Sequence, residues 1–205
     1  MLSLKSKPSV QKNLFSRGFT LIELMVTVGI FVFMTALLLA KYNSFYSGTI
    51  FNNLAYDIAL TIRQAQTYGI SVRVANPSIP GNFRVAYGVH FATATNDQFV
   101  LFADTAADKL YDPAGDLDEK KYYIKQGAKI DSICAGTSSS DCQSVEALDI
   151  SFLRPDPSAR FLYSRSGVRY RNPTDSYVEI TLQSGDGTAT KKVVVTKVGQ
   201  ISVTN

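Results

Sequence analysis

At 205 residues, with 45% hydrophobic and 19% charged side chains, the chain is long enough for one folded domain with a real core plus an anchoring segment. A formal charge of +4 would suggest a nucleic-acid partner if it were spread over the folded body, and it is not. Lys5, Lys7, Lys12 and Arg17 all precede the first acid, Glu23, and the 17 remaining basic residues are matched by 17 acidic ones, which excludes a body that is basic overall.

In chain order, the basic leader gives way at Gly18 to an apolar run, Phe19 to Ala40, in which Glu23 carries the only charge. A carboxylate at the centre of a membrane helix costs about 2.5–3.5 kcal/mol on insertion scales and less near an end, so a plain anchor has no use for it. The basic flank is held on the cytoplasmic side and directs the chain beyond the helix outward. No small-residue cleavage site follows Ala40, where the chain continues Lys41-Tyr42-Asn43. Gly18 is the one small residue at the basic-to-apolar junction, and a cut there would keep the apolar helix. Phe51, Ala55, Ile58, Ile62, Ala65, Gly69 and Val72 then recur at spacings of three and four, with Asp57, Arg63, Gln64 and Gln66 off the stripe. The pattern predicts one helix over 19–72, roughly 80 Å long at 1.5 Å per residue, with Gly29 and Gly48 as its weak points.

Past Asn76-Pro77 the period becomes two: Phe83, Val85, Tyr87, Val89 and Phe91 alternate with Arg84, Ala86, Gly88 and His90. Further strands are expected at 98–103, 121–126, 147–154, 160–164, 176–183 and 190–203. Asp112-Pro113, the segment between the cysteines, Pro155-Asp156-Pro157, Asn172-Pro173 and the hairpin signal Gly185-Asp186-Gly187 separate them. The expected class is α+β: a long N-terminal helix, half membrane-spanning and half amphipathic, packed on an antiparallel sheet domain. The expected divisions are a leader over 1–18, a membrane and assembly helix over 19–45, and an exported head over 46–205.

The run Gly18-Phe19-Thr20-Leu21-Ile22-Glu23, after a basic leader and before an apolar helix, resembles the signature of type IV prepilins and type II secretion pseudopilins. The resemblance implies cleavage after Gly18 by a membrane prepilin peptidase and methylation of the new amino terminus at Phe19. It also implies assembly through Glu23, beside Thr20, with other pilin or pseudopilin subunits. It implies a single pass through the inner membrane with the head exported, then residence in a pilus or pseudopilus. Many family members carry a proline 22 residues past the cut, where this chain has Ala40. The amphipathic helix followed by an all-strand region ending in Lys-Val-Gly-Gln is similar to GspH/FimT-type minor subunits. Cleavage would create a cationic amine at Phe19 within the apolar zone, and a buried charge needs a partner, which Glu23 of a neighbouring subunit can supply.

Four further constellations stand outside that motif. Cys134 and Cys142 enclose seven residues, and in an exported domain the pair is expected to form a disulfide; two unpaired thiols are the alternative. Asp104, Asp108, Asp112 and Asp116 fall four apart in a loop, a candidate Ca²⁺ site against the plainer reading of a solvated acidic loop. Arg160, Arg165, Arg169 and Arg171 interleave with Phe161, Tyr163 and Tyr170, a candidate surface for DNA against the plainer reading of strand alternation. His90 is the only histidine and is expected on an exposed strand face, with no partner for a metal site. No nucleophile elbow or phosphate-binding glycine loop is present, so no enzyme activity and no other cofactor are expected. The reading is a filament subunit of the minor kind. Its alternatives are a minor pilin whose head binds DNA for uptake, and an anchored binding domain that never polymerises; secreted cargo is a further candidate partner.

Overall fold

A computed structural model of the chain describes residues 18–75, 85–106, 111–170 and 174–204, with the backbone alone described for residues 40–50, 118 and 119. The leader over 1–17, Asp108, Arg171, the loop signals Asn76-Pro77 and Asn172-Pro173, and the start of the first expected strand lie outside the described residues. The chain divides into two units, with the boundary between Asn43 and Ser44.

One helix, α1, runs Leu21–Ile70 without interruption through Gly29 and Gly48. In the first unit, Leu21–Leu39 is long and apolar enough to cross a membrane and buries nothing of itself in the protein. Its hydroxyls bond within the helix: Thr27 Oγ1 donates to the Leu24 carbonyl at 2.9 Å and Thr35 Oγ1 to that of Phe31 at 2.7 Å. That is the arrangement hydrocarbon requires of a polar group.

In the second unit the helix turns the expected stripe inward. Phe51, Ala55, Ile58, Ile62 and Ala65 are buried, as is Gly69. Val72 departs from the expectation: the helix ends at Ile70, and Val72 is exposed. Gln66 departs too. It is buried, and its side-chain amide donates to the Pro157 carbonyl at 3.0 Å and the Gly199 carbonyl at 3.4 Å, fixing the helix to two distant segments.

Eleven strands form two antiparallel sheets among the described residues. They are β1 (Ala86–Ala92), β2 (Gln98–Asp104), β3 (Leu117–Tyr123), β4 (Lys129–Gly136), β5 (Gln143–Ser144), β6 (Ala147–Leu153), β7 (Asp156–Arg165), β8 (Val168–Tyr170), β9 (Tyr177–Gln183), β10 (Thr190–Thr196) and β11 (Ile201–Thr204). The six-stranded sheet has the order β3-β2-β1-β6-β7-β8 and the five-stranded sheet β11-β10-β9-β4-β5. One apolar core is shared by the helix stripe, by Val89, Phe91, Leu101, Leu148, Ile150 and Phe161 of the first sheet, and by Ile133, Val178, Ile180, Val193 and Val195 of the second. The helix approaches β6 at Gly69, where a Cβ would lie 2.4 Å from the Phe152 carbonyl oxygen. The Gly69 carbonyl accepts the Arg154 amide at 3.0 Å.

Candidate functional site

The start of α1 is built by Thr20. Its carbonyl accepts the Leu24 amide at 3.1 Å and its hydroxyl accepts the Glu23 amide at 3.2 Å, so Thr20 is the N-cap and Glu23 stands three residues later. Threonine followed at that spacing by glutamate is the capping-box pattern, and a carboxylate in the first turn also suits the helix dipole. The Thr20-Leu21-Ile22-Glu23 spacing is itself a sequence signal of this cap, masked by the apolar run in which Glu23 stands. Gly18, Phe19, Thr20 and Glu23 line one open concavity, so the residues expected to be cut, methylated and used in assembly are neighbours. Phe19 is 77% exposed, and a Cβ at Gly18 would meet nothing within 4 Å. Packing and backbone geometry therefore do not demand glycine there.

Beyond the cap, Leu21, Ile22, Leu24, Met25, Phe31, Phe33, Leu38 and Leu39 are all more than half exposed. An apolar surface this continuous marks a protein or membrane contact.

In the head, Cys134 and Cys142 form a disulfide across Cα atoms 5.4 Å apart. It closes a tight loop at the end of β4, where a Cβ at Gly136 would lie 2.0 Å from the Asp141 carbonyl oxygen. The acidic segment uses its carboxylates on its own backbone. Asp116 accepts the amides of Ala106 at 3.3 Å and Asp112 at 2.9 Å, and Asp112 accepts that of Ala114 at 3.0 Å. Asp104 is buried at the end of β2. Among the described residues no group of three or more His, Cys, Asp or Glu side chains is placed to hold a metal.

The arginines do not form one stripe. Ser164 pairs with Arg169 and Arg165 with Val168 across β7 and β8, so strand alternation puts Arg160 and Arg169 on one face and Arg165 on the other. Arg165 lies 5.2 Å and 5.8 Å from the rings of Tyr163 and Tyr170. It donates to Gln143 Oε1 at 2.7 Å and to the Ser144 and Ala135 carbonyls. Tyr163 bonds to Asp175, and burial together with that carboxylate pushes the phenol up to about 12. His90 corrects the expectation of an exposed histidine. It is half-buried, and its Nδ1 lies 2.6 Å from Oδ1 of the buried Asp149.

The fold is thus α+β, with an apolar helix segment long enough to cross a membrane that begins at a capped, carboxylate-bearing helix start. Residues 15–39 match the family model described as the prokaryotic N-terminal methylation motif. The match covers the amino-terminal segment alone, and that segment is type IV prepilin-like. No curated protein and no solved structure gives a significant match to the chain.

Proposed function

We propose that the chain is a structural subunit, of the minor kind, of a type IV pilus or type II secretion pseudopilus. It is inserted in the inner membrane by α1 with its head exported, cut after Gly18 by a prepilin peptidase, methylated on Phe19, and assembled helix to helix with other subunits through Glu23. The observation that carries the reading is the pairing of a matched methylation motif with an apolar, exposed helix segment charged only at Glu23. The exposure of Gly18 and Phe19 supports the cut, since a peptidase has to reach the bond between them. The strand-rich head supports a GspH/FimT-like place among the minor subunits.

Intact mass of the chain produced with its peptidase tests the processing step. The expected product begins at Phe19 and carries one methyl group. Replacing Gly18 with a bulky residue should leave the fold unchanged and the precursor uncut, and a mature-sized product from that variant would refute the assigned site.

A further inference from the structure

We propose that the cleft between His90 and Lys121, on the outer face of the six-stranded sheet, is a binding site for a neutral sugar ring. The pairing registers set His90 of β1, Val100 of β2 and Lys121 of β3 side by side in one row. Val89 and Phe91 face the core, so His90 faces outward. The turn after β1 adds Thr95 and β2 adds Gln98, while Tyr111 and Pro113 bound the cleft from the loop before β3. Its volume is about 290 Å³. That is close to the lower end of the roughly 300–1,000 Å³ of small-molecule sites, with room for one small ring.

Two walls of the cleft are set by one buried carboxylate. Asp149 Oδ1 lies 2.6 Å from His90 Nδ1, and Oδ2 accepts the Tyr111 backbone amide at 3.2 Å. The Tyr111 ring packs 4.5 Å from the imidazole. Burying a carboxylate is costly, and both oxygens of this one go to residues that line the cleft. A carboxylate accepts, so Nδ1 carries the hydrogen, and Nε2 of the neutral ring is left as an acceptor. Lys121 donates, while Gln98 and Thr95 can each donate and accept. Such a mixed set suits neighbouring hydroxyls, each of which is also both donor and acceptor. With the Asp149 carboxylate behind the imidazole and the Lys121 ammonium across from it, neither an anion nor a cation meets one sign of charge, which favours a neutral ligand. Tyr111 and Pro113 supply apolar surface for the C–H face of the ring.

The site stands apart from the filament reading, and the single histidine of the chain makes it directly readable. With ¹³C-labelled histidine, the Cε1–H signal of His90 is followed by NMR in the full chain, at fixed pH and in a detergent without a sugar headgroup. Glucose, galactose, mannose, N-acetylglucosamine and glucuronate are titrated one at a time into the millimolar range. At least one of the four neutral sugars should move the signal saturably, and glucuronate, which adds a carboxylate, should bind more weakly than that sugar. Gln98→Ala should weaken the binding roughly tenfold, as the loss of a hydrogen bond to the ligand does, with the melting temperature unchanged. Should Gln98→Ala fail to fold, Thr95→Ala in the exposed turn takes its place with the same expectation. No saturable shift with any neutral sugar, wild-type affinity in the variant, or tighter binding of glucuronate than of the neutral sugars overturns the site.

Discussion

Glu23 does not stand alone in the helix: its amide is capped by Thr20, and both residues share the concavity that Gly18 and Phe19 line. A cut after Gly18 would leave Phe19 as the one residue ahead of the cap, so the new amine would stand beside the positive end of the helix dipole, where a cation is least welcome. That sharpens the need for a carboxylate partner. Farther along, Gly136, the last residue of β4, is where the cysteine loop comes back against the strand at the Asp141 carbonyl. Gly136→Ala should lower head stability by about 2 kcal/mol or more, because the displaced atom is backbone and cannot swing aside; a thermal melt reads this, and an unchanged midpoint would contradict the close approach. At the acidic loop, Asp112 and Asp116 already accept backbone amides. The loop's own hydrogen bonds predict no change of melting temperature at millimolar calcium, whereas a rise would establish an ion site.

Among the elements, β9 and β10 carry a charge network whose sign can be worked out. Burial alone would raise the Glu179 carboxyl, but hydrogen bonds from Lys192, at 2.9 Å, and Tyr177, with the Lys192 charge, outweigh it and hold the group below its ordinary value. A depressed carboxylate contributes stability above the unfolded value of about 4.3 and loses it as pH falls through the folded one. Glu179→Gln should therefore melt lower at pH 7 yet lose less on going from pH 5 to 3, and parallel acid limbs for the two proteins would contradict the network. The disulfide ties β4 to the residue just before β5. Replacing both cysteines with serine should cost about 2–3 kcal/mol for a sequence separation of 8.

Much of this architecture was legible in the sequence because the helix stripe over 51–69 and the alternation in β1, β6 and β9 are regular. What was not legible has local causes. A bulge between Ile130 and Ser132 shifts the phase of β4, so its core residues Ile130, Ile133 and Ala135 lose the period of two. The run over 190–203 contains a turn at Gly199, whose φ of 86° divides it into β10 and β11. His90 read as exposed because alternation reports which face a residue takes. It does not report that a loop some 20 residues on, led by Tyr111, lies over that face.

At the scale of the whole molecule, the two units answer to different surroundings. The core of the second unit draws on residues from Phe51 onward and none from Leu21–Leu39. Residues 44–205 should therefore fold by themselves with a cooperative melt, and a broad, non-cooperative transition would contradict that independence. Across Leu21–Leu39 the first unit leaves an apolar surface exposed, and Glu23 is the one charged side chain in that stretch. Glu23→Ala tests the central claim most directly, in a cell that makes the filament, by following the variant in the membrane fraction and in sheared filaments. The account predicts a variant that is inserted and cut after Gly18 as usual but absent from the filaments; incorporation at the wild-type level would contradict it.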